Sequence, residues 1–432
     1  MNGVFVLDNG KRSNFSPRPQ GTHLALRLFA LGLLIGVTVV GSAGCTGVVI
    51  DGGGSGNNNG GGGNGGGGSG GGSGACGATS STPVDGNCDT TLSSDRGKTF
   101  GEPNGEFSSA VFAIFDTGGQ ARLQGTVSVF EDLDVFALGP LARGTGITVD
   151  TDTSALGSNL DVSVALFDAD FRLVNNNDDR AVTDLDALMD WVVYNDSDEY
   201  YLVVSHSAFA ATGTFTGGYT VNVQLTADQP VPAPTPQTLL LNFDGATVTN
   251  VTSDVQQITP FDAGSISQSY AGMTESMKQD IVASVRENFE GFDIEIITSD
   301  DPPPAGGTQV SEMYLGGFSE TTFGIAESVD LYNFNRCDDG IIFTESFSPR
   351  QFGFTPSAAA LAVAIGNVTA HEAGHLLGLN HVDDDDALMD DVSPAAALLA
   401  DQEFMSAPVS DDIIPIGFQD SVFLLSDIVG LR

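Results

Sequence analysis

The stretch His371-Glu372-Ala373-Gly374-His375-Leu376-Leu377-Gly378-Leu379-Asn380-His381 decides the reading of this chain. Two histidines four residues apart stand one above the other on a helix face. That spacing lets both imidazoles reach one zinc ion, and Glu372, beside the first of them, adjoins the place of a metal-held water. Gly378 can adopt the left-handed backbone that ends a helix sharply. The chain then turns back, and His381 offers a third imidazole. Three histidines leave the fourth tetrahedral position to solvent, as in catalytic sites. Three of the chain's five histidines fall inside this stretch. The presence of Glu372 and the lack of a fourth close ligand argue against a closed structural site. The run 383–386, four consecutive Asp, reads as an exposed acidic loop.

These residues match the signature HExxHxxGxxH without a gap, and the chain thereby resembles the metzincin clan of zinc metallopeptidases. Met389, in Ala387-Leu388-Met389, lies eight residues past His381. That distance and wording resemble the methionine turn of the matrixin branch. The resemblance implies zinc on His371, His375 and His381, Glu372 as general base, and Met389 as a floor that does not touch substrate. It implies that zinc activates a bound water and polarises the scissile carbonyl. In the clan, an edge strand above the cleft pairs with an extended peptide. Phe323-Gly324-Ile325-Ala326-Glu327-Ser328 is the candidate here, with Gly324, Ile325 and Ala326 as substrate-binding residues and an ordinary loop as the alternative. Two departures stand out. Astacin- and serralysin-like members carry a tyrosine two residues after the turn methionine, where this chain has Asp391. Matrixins carry a propeptide cysteine that caps the zinc, and Cys76, Cys88 and Cys337 lack its surrounding motif.

Outward from the motif, residues 238–432 read as a mixed α/β domain. A buried-type strand is expected over 239–243. A helix is expected over 274–290, with Met277, Ile281, Val285 and Phe289 at four-residue intervals, Thr274 as its cap and Gly291 after it. Strands are expected over 293–298, 309–315 and 340–344. The Ala-rich run 357–377 has no charge before Glu372 and reads as a helix buried on most sides. Upstream, residues 227–237 carry Pro230, Pro232, Pro234 and Pro236 at alternate positions, a semi-rigid linker.

Residues 76–226 read as an all-β sandwich. Apolar or alternating runs at 110–115, 121–129, 133–138, 146–150, 160–167, 191–194, 200–204 and 219–225 are separated by Gly, Asn and Asp clusters. Trp191 and His206 read as core filler or surface decoration. The phrases Glu131-Asp132-Leu133-Asp134-Val135-Phe136, Leu160-Asp161-Val162-Ser163-Val164, Asn177-Asp178-Asp179 and Gly217-Gly218-Tyr219-Thr220-Val221 resemble the bacterial pre-peptidase C-terminal domain. That family implies an accessory role in secretion, folding or adhesion. Some of its relatives bind calcium at loop ends, which makes Asp134, Asp178 and Asp179 calcium candidates beside their reading as turn formers.

The chain of 432 residues has 15 basic and 56 acidic side chains, a formal charge of −41. Such an acidic chain repels phosphate backbones, which excludes nucleic acid as the expected partner. Its 41% of apolar residues excludes wholesale disorder. Residues 1–45 carry Lys11, Arg12, Arg18 and Arg27 before an apolar run at 28–40, the pattern of an export signal. The run is short for a membrane span of about 20 residues. Gly41-Ser42-Ala43-Gly44-Cys45 resembles a bacterial lipobox, with Ser42 where that family usually has Leu. Lipidation of Cys45, plain secretion and a retained anchor are the three readings. Residues 46–75, dominated by Gly, Ser and Asn, form a flexible tether spanning roughly 25 Å. A Cys76–Cys88 disulfide is expected, leaving Cys337 a free thiol.

Together these features predict a multidomain protein, a β-sandwich followed by a metzincin-like α/β peptidase domain. It is expected to be an exported bacterial zinc endopeptidase acting on protein or peptide substrates. Any membrane contact would run through the N-terminal lipid or signal. An adhesin with a non-catalytic metal lobe and a narrow exopeptidase or self-processing enzyme are the alternatives.

Overall fold

The computed structural model describes Val4–Val6 and residues 104–432 other than 182, 392, 393 and 412. Apart from Val4–Val6, which fall within it, the expected export signal lies outside the described residues, as do the glycine tether, Cys45, Cys76 and Cys88. The protein is multidomain. One compact unit holds residues 104–164 and 176–230, and the other holds residues 231–432 with 165–175. The division falls between Pro230 and Val231, inside the proline-rich stretch.

The N-terminal region is a β-sandwich of two sheets. The strands of one follow the order Val111–Phe112, Asp134–Leu141, Ser197–His206, Val162–Asp168, Leu173–Asn177. The other runs Gln120–Val127, Gly217–Thr226, Gly146–Asp152, Leu188–Val192. Strand Gln120–Val127 buries alternate residues, so one face meets the core and the other meets water. Trp191 is core filler, 7% exposed. Leu173–Asn177 is a strand that the sequence reading missed, because its Asn175-Asn176-Asn177 triplet reads as a turn. The expected run at 110–115 shrinks to Val111–Phe112, and Phe112 and Ile114 are exposed.

In the C-terminal unit, a sheet places four parallel strands in the order Asp339–Ile342, Val310–Leu315, Gln237–Asn242, Ile294–Thr298. Strand Thr322–Ala326 adds to Asp339–Ile342 in the antiparallel sense, and Val4–Val6 pairs with its other side. The central strand begins at Gln237, which is buried, so the linker ends sooner than expected. Helix Thr274–Asn288 buries Met277, Ile281 and Val285 as its periodicity requires, and Phe289 just beyond it is buried too. Thr274 is the first helical residue, not the cap. Its hydroxyl bonds Asp262 at 2.9 Å and receives the Ala263 amide at 3.2 Å.

Helix Ala358–Leu376 is capped by Ser357, whose hydroxyl accepts from the Ala360 amide. It is buried along nearly all its length beyond Ala360, so it forms the middle of the core. Each large aliphatic side chain buried there contributes about 1.5–3 kcal/mol relative to exposure. The two helices pack at close range. A Cβ on Gly366 would lie 2.6 Å from Ser284 Cβ, so only glycine permits the approach. Asn367 donates to the carbonyls of Leu398 and Ala400, fixing the long helix to the chain that follows the site.

Cys337 is disulfide-bonded, and its partner lies outside the described residues. This corrects the expected free thiol.

One sandwich residue gives a pH test. Asp161 is buried, and its Oδ1 has no hydrogen-bond partner. Burial, and then Asp179 and Asp178, raise its pKa from 3.8 to about 6. The folded state therefore prefers the neutral acid, and stability falls as pH rises from about 4 to about 6. Asp161→Asn should raise the melting temperature by about 2–5 °C at pH 8 and lose that advantage near pH 4. Thermal denaturation of the full chain at the two pH values measures it.

Candidate metal centre and active site

His371 and His375 project from consecutive turns of the long helix, both buried. The helix ends at Leu376 and Gly378 takes φ +92°, with its amide donating to the His375 carbonyl. The Leu379 amide donates to the Gly374 carbonyl. A Cβ on Gly378 would lie 2.8 Å from both the Asp330 oxygen and the Tyr332 nitrogen. Left-handed backbone and lack of space thus both demand glycine. Past this turn, Gln419 holds Asn380 in a buried two-bond clamp. Its Oε1 accepts the Asn380 amide and its Nε2 donates to the Asn380 carbonyl, each at 2.7 Å. His381 follows directly, its carbonyl accepting the Ser410 amide at 3.1 Å.

The three rings converge. His375 Nε2 lies 3.1 Å from His371 Nε2 and 3.0 Å from His381 Nε2. A tetrahedral zinc with Zn–N near 2.0–2.1 Å separates its nitrogens by about 3.3 Å, so this spacing fits one ion. Every Nδ1 faces an acceptor. His371 faces the Leu388 carbonyl and His375 the Leu379 carbonyl, both at 2.8 Å, and His381 faces Asp391 Oδ2 at 3.3 Å. With Nδ1–H so engaged, the Nε2 lone pairs point inward. Burial lowers the pKa of all three, that of His375 to about 4, which favours the neutral ligand form. The donor set therefore suits zinc. Among the described residues, this is the one group of three or more His, Cys, Asp or Glu with ligand atoms within 4.8 Å of one another.

Met389 is buried beneath the helix. A Cβ on Gly374 would lie 2.6 Å from its Sδ, so the thioether packs where the helix offers no side chain. The Met389 carbonyl accepts the Val382 amide, which returns the chain alongside the segment just past His381.

Glu372 is buried, and neither carboxylate oxygen makes a well-formed hydrogen bond. Burial raises its pKa well above the usual range, and the Ala326 backbone opposes only part of this. A Cβ on Gly324 would lie 2.5 Å from Glu372 Oε1. The proposed substrate residues Gly324, Ile325 and Ala326 thus belong to the antiparallel strand that borders Glu372.

The calcium candidates do not join into such a group. Asp134 is buried, and its carboxylate accepts from Asn104 at 2.6 Å and from the Tyr219 hydroxyl. Asp178 accepts from Ser207 Oγ at 3.1 Å, and Asp179 is exposed. Sequence reasoning missed Gln419 and the partnership of Asp391 with His381. An acidic residue where a tyrosine stands in related branches was the available signal for Asp391; Gln419 had none.

Residues 277–411, which include Glu372 and all three converging histidines, match the family model described as Matrixin. This segment is thus similar to the matrixin family in sequence. Among solved structures, the chain is similar to a zinc-dependent peptidase from Methanocorpusculum labreanum (13% identity, 44% of this chain and 98% of that one, TM-score 0.23). It is also similar to archaemetzincin from Methanopyrus kandleri (12% identity, 38% and 86%, TM-score 0.22). A third is the pre-peptidase C-terminal domain of collagenase from Bacillus anthracis (13% identity, 27% and 94%, TM-score 0.20). No curated protein matches the chain.

Gly378→Ala should weaken zinc binding by about tenfold or more, because it drives the His381 turn out of place. Competition with a chromogenic chelator measures this, and unchanged affinity would show that the turn does not set the site.

Proposed function

We propose that this chain is a zinc-dependent endopeptidase that cleaves extended segments of extracellular proteins, with Glu372 as general base. The observation that carries the reading is the convergence of three imidazoles beside a buried carboxylate without a well-formed hydrogen-bond partner. A bound zinc would be held by His371, His375 and His381, and would supply Lewis-acid polarisation and an acidified water.

The chain's own residues do the rest. Glu372 takes a proton from the attacking water and passes it to the leaving amine nitrogen. Its desolvated setting makes the ionised carboxylate a strong base. Strand Thr322–Ala326 lays an extended substrate antiparallel along its backbone. Support comes from its pairing with Val4–Val6, where Val4 faces Ile325 and Val6 faces Thr322. Gly324 supplies the gap that lets this strand approach Glu372. Met389 and the Leu388 carbonyl support the histidines from below.

Export as a surface lipoprotein or secreted protein belongs to the same proposal and rests on the sequence of residues 1–45. No helix among the described residues is long and apolar enough to cross a membrane.

Casein digestion should be abolished by chelation, restored by zinc, and reduced at least 1,000-fold by Glu372→Gln, which should still bind one zinc per chain. A Glu372→Gln variant digesting at the parent rate would overturn the role of Glu372. A zinc-loaded parent that leaves casein and peptide libraries intact would favour a binding protein.

A further inference from the structure

We infer that Asp391 is a positioning residue for the metal centre, holding His381 in the tautomer and orientation that aim Nε2 at the ion. The inference rests on the zinc reading above.

The three histidines are not supported alike. His371 and His375 are carried by a buried helix, and each turns Nδ1 to a backbone carbonyl at 2.8 Å. His381 follows the helix on irregular chain, and its Nδ1 faces a side chain, Asp391 Oδ2, at 3.3 Å. Both side chains are largely withdrawn from solvent, 13% exposed for His381 and 10% for Asp391. At such burial a carboxylate acts on an imidazole with little screening by water.

The backbone explains how Asp391 arrives there. The Val382 amide donates to the Met389 carbonyl at 3.0 Å, and Val382 bridges Asp390 in the parallel sense. The Asp384 amide donates to Asp390 Oδ1 at 3.2 Å. The segment past the methionine is therefore fastened beside the segment past His381, which brings Asp391 back to that ring. A carboxylate on Nδ1–H fixes the tautomer, raises the basicity of Nε2, and sets a negative charge near a site of three neutral ligands around a dication. Removing such a partner typically weakens metal binding by about 10–100-fold.

The test uses the full chain, with D391A and D391N compared with the parent. Zinc affinity is read by chelator competition, the visible spectrum by cobalt substitution, and stability by melting of the chelator-treated, metal-free protein. D391A should bind zinc about 10–100-fold more weakly, with a shifted cobalt spectrum and an unchanged metal-free melting temperature. D391N keeps an acceptor and loses the charge, so it should lose about 3–10-fold. Parent-like affinity and spectrum in D391A would overturn the inference, as would a metal-free melting temperature that falls with the affinity. Should D391A fail to fold, D391N decides, and parent-like affinity there overturns it. A parent chain that binds no zinc would instead sink the underlying reading.

Discussion

A residue six positions past another on a continuing helix is turned about 120° away and carried about 9 Å along the axis, so His381 can meet His375 only if the backbone reverses between them. Gly378 makes that reversal at φ +92°, pressed against the backbone of Asp330 and Tyr332. The rest of the centre depends on this turn. The Gln419 clamp on Asn380, the return of the chain from Met389 to Val382 and the approach of Asp391 all act on a segment whose direction the turn has set. The helix before it is rigid because it is buried through the core, with Gly366 allowing close contact to Ser284 and Asn367 tying it to Leu398 and Ala400.

The chemistry comes from unequal satisfaction of polar groups. The histidines have their Nδ1 atoms engaged and their Nε2 atoms turned inward, so they are ready to bind a cation. Glu372 is left without a well-formed partner, although it is fully buried. An uncompensated buried carboxylate costs stability, and such costs concentrate at functional sites. Gly324 extends this logic, since the missing side chain lets strand Thr322–Ala326 lie against the carboxylate.

Much of this was legible in the sequence, because it is local. Helical period placed Met277, Ile281, Val285 and Phe289 on one buried face, and the four-residue spacing of His371 and His375 needed no tertiary knowledge. The family reading from the motif and methionine turn agrees with the Matrixin match over 277–411. What the sequence did not display is long-range. Gln419 stands 39 residues from Asn380, and its role follows from the fold alone. The Asn triplet in Leu173–Asn177 misled because burial among strands overrode its turn propensity. Asp134, an expected calcium candidate, is buried and accepts hydrogen bonds from Asn104 and Tyr219, partners that only the fold brings to it.

Zinc K-edge X-ray absorption of the purified full chain tests the central account most directly. It should show one zinc per chain with three imidazole nitrogens at about 2.0–2.1 Å and one lighter oxygen ligand from solvent. A sulfur ligand, a fourth imidazole, or a chain that retains no zinc would contradict it.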